Sequence, residues 1–260
     1  MATAPAIQTS RTILHVRGNW SAREDRTASA VWLGILWVGT LAGFGVDFPR
    51  YLHEKPPPPL VLHVHGVVFT LWMLIVTAQV LLVMRDKVSW HRRFGWFAIG
   101  WVCLMGVLGP WAAMASEVAT LNTPAASPQF LSVIFGGLLQ FFALIAWGVV
   151  LRKNPAAHKR IMMLSMVSLA DPGFSRFSGW IWPNEPHSMV LWFFYTFYGN
   201  VLLLALMTAW DLWLGRLMRS FIIGVMAMLA TEIASTWLYF WQPWAVLTHG
   251  WVVTWAKYLG

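Results

Sequence analysis

Apolar runs of about 20 residues recur along this chain between clusters of basic residues, and that is the length a helix needs to cross the hydrocarbon of a bilayer. Only helices and closed barrels satisfy their backbone in lipid. Seven segments qualify as spanning helices, near 29–46, 60–84, 94–115, 131–151, 161–180, 189–213 and 221–240. The first is short and bears glycines, and the fifth contains Asp171, Pro172 and Arg176. Composition agrees: of 260 residues 58% are hydrophobic and 11% charged, against roughly 25% charged in an ordinary soluble domain. Too few charges remain to build a solvated shell, so most of the solvent must be lipid.

The charges are placed as topology signals. One set of alternating connections carries Arg11, Arg17, Arg23 and Arg26, then Arg85, Lys87, Arg92 and Arg93, then Arg152, Lys153, Lys159 and Arg160, then Arg216 and Arg219. The other set holds Arg50, Lys55, Arg176 and Lys257. Lys and Arg are retained on the cytoplasmic side, which predicts seven spans with the N-terminus inside and the C-terminus outside. The net charge of +8 forms no contiguous patch or arm of the kind that binds nucleic acid, so none is expected. Residues 1–27 lack the apolar core and cleavage site of a secretory signal and are expected to stay as a cytoplasmic segment. Residues 28–260 are expected to form a single transmembrane domain. Cys103 is the sole cysteine, which excludes an intramolecular disulfide and a Cys-based zinc site. Pro56 to Pro59 form a stiff, extended run expected to aim the start of the second helix.

An ionisable group inside a membrane is costly enough to mark function by default. At about 1.5 Å per residue, Asp171 lies roughly 15 Å into the fifth span and Glu232 roughly 17 Å into the seventh. Gln140 and Asn200 come out at similar depths, so four helices bring a polar group to about one level. Glu232, Ser235, Thr236 and Tyr239 share a helix face, as do Ser165, Ser168 and Asp171. These side chains act either in chemistry or simply as interhelical hydrogen bonders. Arg176 follows Asp171 by five residues, and a break at Pro172 and Gly173 would turn it back toward Asp171 or Glu232, as structural partner or as anion holder.

Eight histidines are present. His53, His63, His65, His187 and His249 fall toward the outer side, and His15, His91 and His158 toward the inner. His63 and His65 open the second span, and His65, Trp72 and Gln79 lie seven apart on one face. Imidazoles with carboxylates suit an iron or copper ion, and a single His near a carboxylate would suffice to handle protons. The i, i+2 spacing splays His63 and His65, so a joint metal site needs a distorted first turn. His91 and His158 sit at equivalent inner depths, where facing histidines could hold b-type haem, its propionates met by Arg92, Arg93, Lys159 and Arg160.

The motifs His-Val-His-Gly with Trp72, Trp-His-Arg-Arg-Phe-Gly, and Asn-Pro-Ala-Ala-His-Lys-Arg-Ile-Met followed by Asp171 and Arg176 resemble those of a widespread bacterial family of predicted polytopic inner-membrane proteins. The resemblance covers roughly residues 60–180. It implies a helical bundle in the bacterial inner membrane and no particular reaction. A fainter similarity to membrane cytochrome b reductases implies two haems on paired histidines. This sequence departs from that pattern, having no histidine in the fourth span and none at the inner end of the second. Retinal binding would need a lysine within the last span, and Lys257 lies beyond it. No Walker loop, dinucleotide glycine fingerprint or His-Glu-x-x-His helix is present.

The sequence therefore leads to an all-α bundle with a polar cavity open toward the outer face, lined by His63, His65, Asp171, Arg176, Asn200 and Glu232. The leading expectation is redox or metal-linked chemistry on a quinone or other apolar small molecule. In that scheme His63 and His65 are ligands or proton acceptors, Asp171 and Glu232 are ligands or proton relays, and Arg176 orients an anionic group. The alternatives are an accessory subunit whose Trp-rich surface packs against membrane-protein partners, and a proton-coupled transporter using the same cavity.

Overall fold

The computed structural model describes residues 22–55 and 57–259, which are mainly helical with no strand. Residues 1–21 of the expected inner segment, with His15, and Pro56 of the proline run lie outside the described residues. The helices are α1 (Ala22–His53), α2 (Leu60–Met84), α3 (Val88–Thr120), α4 (Leu131–Val150), α5 (Pro155–Ser175), the single turn α6 (Ser178–Ile181), α7 (Met189–Trp213), α8 (Arg219–Phe240) and α9 (Gln242–Leu259). Six of them, α1, α2, α3, α4 with its flanking turns, α7 and α8, are long and apolar enough to cross a membrane. The chain is a multi-pass membrane protein.

Helix α5 differs from those six because its neighbours are protein. Twelve of its 21 residues are buried, against five of 25 in α2, and it packs against α1, α4, α7 and α8. A helix enclosed by other helices has no lipid to satisfy, so its hydropathy falls without loss of stability. Its ends fix its direction. Arg160 in its first two turns forms a buried, two-pronged ion pair with Asp211 at the end of α7, Nε to Oδ2 at 2.6 Å and Nη2 to Oδ1 at 3.0 Å. Arg176 just past its last turn reaches Asp47 and Tyr51 near the end of α1. Helix α5 thus runs from the basic end of the bundle to the proline-rich end, parallel to α1.

The α1–α5 crossing is close because both helices present glycine. A Cβ added at Gly43 would stand 1.8 Å from the Gly173 carbonyl oxygen, and one at Gly39 would stand 2.0 Å from the Phe174 ring. The Gly-x-x-x-Gly spacing of Gly39 and Gly43 is the small-residue device that lets membrane helices approach. Pro172 sits inside α5 without ending it. The helix ends at Ser175, five residues short of the expected 180, and α6 follows.

At the basic end α1 meets the end of α2 through Arg26 and Asp86 at 2.5 Å. The α7–α8 turn closes on Gly215, whose φ of 65° is the left-handed conformation that terminates a helix at little cost for glycine. Its N–H donates to the Leu212 carbonyl and that of Arg216 to Asp211. Helix α2 shows how lipid and protein divide a helix surface. Leu60, Val67, Leu74 and Leu81 are exposed at seven-residue intervals, while Trp72 and its neighbours are buried. Helix α9, absent from the expected spans, packs on α3, α8 and the 3₁₀ turn Pro128–Phe130. Val252 and Trp244 lie against Ala113, Met114 and Leu131, and Trp244 Nε1 donates to the Gln129 carbonyl at 3.0 Å.

Candidate functional site

Four helices converge on one small polar cavity inside the bundle. It has a volume of about 20 Å³ and is lined by Gln140 on α4, Ser168 and Asp171 on α5, Asn200 on α7, and Thr231, Glu232 and Ser235 on α8, with Val133, Gly136, Gly137 and Phe197. That volume holds about one water molecule. Small residues create the approach. Ser132 Oγ donates to the Ser235 carbonyl at 2.8 Å, and a Cβ at Gly136 would stand 2.1 Å from Ser235 Oγ, so α4 and α8 meet where side chains are smallest.

The polar groups are only partly satisfied. Asn200 Nδ2 donates to Glu232 Oε1 at 2.8 Å, which fixes the amide so that its oxygen points elsewhere. Four buried oxygens have no hydrogen-bond partner: Gln140 Oε1, Asp171 Oδ1, Asn200 Oδ1 and Glu232 Oε2. All four can accept. Asn200 is 1% exposed, Glu232 2% and Gln140 6%, so bulk water does not serve them. No Lys, Arg or His lines the cavity.

Arg176 is not part of this cavity. Because α5 continues through Pro172, Arg176 emerges past the helix end facing α1 and does not fold back. Its Nε donates to Asp47 Oδ2 at 3.1 Å, its Nη2 to Tyr51 Oη at 3.2 Å and its Nη1 to the Pro172 carbonyl, and the guanidinium lies 4.0 Å over the Phe44 ring. The expected approach to Asp171 or Glu232 is replaced by an ion pair that ties α5 to α1.

The outer histidines stand elsewhere too. His63 is exposed on α2, and the partly buried His65 ring packs 4.0 Å from Phe69 with Nδ1 unpartnered. Neither lines the cavity, and His187 and His249 are exposed. Helix α2 packs chiefly on α3, which turns these imidazoles away from α5 and α8. Among the described residues no group of three or more His, Cys, Asp and Glu side chains is placed to hold a metal ion. Val133 and Phe197 belong both to the cavity wall and to an aromatic cluster at the proline-rich end. There Trp192 stacks on Tyr239 at 4.0 Å, and both donate to Glu185 Oε1, Trp192 at 2.5 Å and Tyr239 at 3.2 Å.

The inner histidines do meet. The His91 and His158 rings are 6.3 Å apart and nearly perpendicular, at 81°. His158 Nδ1 contacts the Gly148 carbonyl at 2.7 Å, which puts its proton on Nδ1 and leaves Nε2 as the free lone pair. Gln79, with its amide oriented to satisfy its neighbours, donates to His91 Nδ1 at 2.6 Å and accepts from the Gly95 N–H at 3.0 Å. That gives His91 the opposite tautomer, with hydrogen on Nε2.

Two buried groups stand outside the sequence reading. Asp211, the partner of Arg160, was hidden in an apolar stretch at the end of α7, although an acid at the depth of a basic cluster on another helix is a detectable signal. Glu117 on α3 is 7% exposed with Oε2 unpartnered. No protein-family profile, no curated protein and no solved structure matches this chain.

Proposed function

We propose that this chain is a proton-coupled transporter of a bacterial inner membrane, with α5 as a seventh span, the N-terminus inside and the C-terminus outside, and the Asp171–Glu232 pair as its coupling site. One observation carries the reading: four unpartnered acceptor oxygens, two of them carboxylate, face a cavity of one-water size with no basic side chain in its wall. Two carboxylates that share a poorly solvated site cannot both stay ionised without a compensating positive charge. A proton supplies that charge, and a group that must be neutralised to persist in lipid can carry protons across it. Asn200 holds Glu232 in place by donating to Oε1, and the aromatic cluster under Glu185 stands between the pair and the proline-rich end. The basic connections at one end of the bundle support the orientation.

The test is charge displacement after a pH jump on a solid-supported membrane carrying the reconstituted protein, which registers proton binding without a known substrate. Wild-type protein should give a transient that is lost in Glu232→Gln and in Asp171→Asn. Transients of equal size in both variants refute the reading. Redox or metal-linked chemistry on a quinone-like molecule is a second reading, and it draws on the 6.3 Å His91–His158 contact. It requires iron, copper or haem in the purified protein, with an absorption band that disappears in His158→Ala.

A further inference from the structure

We infer that the cavity between α4, α5, α7 and α8 is a binding site for one dehydrated sodium ion, ligated by Asp171, Glu232, Asn200 and Gln140. The inference deepens the transport reading, since it rests on this carboxylate pair being the working centre, and it names the second ion the centre accepts.

The donor chemistry comes first. Every unpartnered atom in the cluster is an oxygen: carboxylate Asp171 Oδ1 and Glu232 Oε2, and amide Asn200 Oδ1 and Gln140 Oε1. The wall adds the hydroxyl-bearing Ser168, Thr231 and Ser235 and contains no histidine, cysteine or methionine. An all-oxygen set favours hard cations over zinc and copper, whose sites are usually completed by imidazole or thiolate. The amides are the independent sign of a ligand. Asn200 and Gln140 are 1% and 6% exposed, and an amide carbonyl that titrates nothing has no reason to stand unpartnered in a cavity unless something positive or hydrogen-donating comes there.

Size and charge then choose among hard cations. The cavity of about 20 Å³ has room for about one water-sized species. Magnesium dehydrates reluctantly and normally keeps several waters, which a one-water space does not hold, and calcium takes six to eight oxygens, where the cavity leaves four unpartnered and the Ser168 and Thr231 hydroxyls already donate to backbone carbonyls. A monovalent ion fits with one proton retained on the pair, because the remaining negative charge is then cancelled once. Asn200 completes the arrangement: its Nδ2 holds Glu232 Oε1 at 2.8 Å, leaving Oε2 and its own Oδ1 for the ion.

The experiment is equilibrium binding of radioactive sodium to the full-length protein in lipid nanodiscs, with choline as the background cation. Wild-type protein should bind sodium saturably at close to one ion per chain, with potassium and calcium competing poorly. Asp171→Asn and Glu232→Gln should weaken binding by at least tenfold. Gln140→Leu, which keeps both carboxylates, should weaken it severalfold. Each variant is first checked for helicity and monodispersity, and if one fails to fold the others decide. Glu185→Gln, at the far side of the aromatic cluster, should bind sodium as wild type does. Absence of saturable sodium binding, equal competition by potassium, or undiminished binding in the folded cavity variants overturns the inference. Proton displacement without sodium binding removes the sodium site and leaves the transport reading. Sodium binding without proton displacement does the reverse.

Discussion

Replacing Gly43 with alanine should be among the most damaging single-methyl changes in this protein. The added Cβ would lie 1.8 Å from the Gly173 carbonyl oxygen, where Cβ atoms essentially never come closer than 3.0 Å, so α1 and α5 must separate by about 1.2 Å at their crossing. The obstacle is backbone, which cannot swing aside as a side chain does. A gap of 0.5–1 Å already forfeits about a quarter to a half of the dispersion energy across a contact. Between membrane helices packing is the main force, since lipid is as apolar as the core. Separation also pulls Asp47 away from Arg176, now 3.1 Å apart. Overpacking typically costs about 1–3 kcal/mol, and Gly43→Ala should fall in the upper half of that range. Gly34 is the control: it lies on the same helix with nothing within 4 Å of its added Cβ, so Gly34→Ala should change stability by less than about 1 kcal/mol and in the favourable direction. Reversible unfolding in mixed micelles by SDS, followed by circular dichroism, measures both. Equal stability of the two variants would refute the close α1–α5 crossing.

Asp211→Ala removes both carboxylate oxygens to which the buried Arg160 guanidinium, 7% exposed, donates on α7 and should cost about 3–5 kcal/mol; the double variant Arg160→Met, Asp211→Leu should recover most of that loss in the same SDS titration, and a double variant as unstable as the single one contradicts the pairing. Asn200→Leu removes the donor to Glu232 Oε1 and should lower stability by about 1–3 kcal/mol, whereas Glu232→Gln still accepts from Asn200 Nδ2 and should be neutral within about 1 kcal/mol; the reverse order would mean that the 2.8 Å hydrogen bond does not form. Trp37→Phe loses the 2.9 Å bond from Nε1 to Thr77 Oγ1 between α1 and α2 and should cost about 1 kcal/mol, read as a lowered melting temperature in detergent; an unchanged melting temperature denies that contact.

The spanning helices that face lipid were legible because lipid imposes apolarity along their whole length. Helix α7 occupies the expected 189–213 and α2 the expected 60–84. Helix α5 was a weak signal for the same physical reason turned round, since protein surrounds it and relaxes the hydropathy that sequence reading depends on. Helix α9 escaped notice because it is 18 residues long and interrupts its apolar residues with Gln242, Pro243, His249 and Lys257, so no uninterrupted apolar run of spanning length marks it. Asp171 and Glu232 stood out as carboxylates amid apolar residues, and depth counting brought Gln140 and Asn200 to their level. The place of Arg176 was not legible because its partner, Asp47, sits 129 positions away, on a helix whose position beside α5 depends on Gly39, Gly43 and Gly173. The spacing of His63 and His65 gave no sign of which way α2 turns, and that rotation is what separates them from the carboxylates.

The meeting of Asp171 and Glu232 in one cavity is the claim on which the functional account rests, and infrared difference spectroscopy of the carboxyl stretch during a pH titration tests it directly. Two acids that share a site titrate as a pair, so removing one changes the behaviour of the other. The account predicts that Asp171→Asn shifts the titration of the Glu232 band, assigned by its loss in Glu232→Gln, and that the converse substitution shifts the Asp171 band. Bands that titrate independently, each unchanged by the loss of its neighbour, would contradict it.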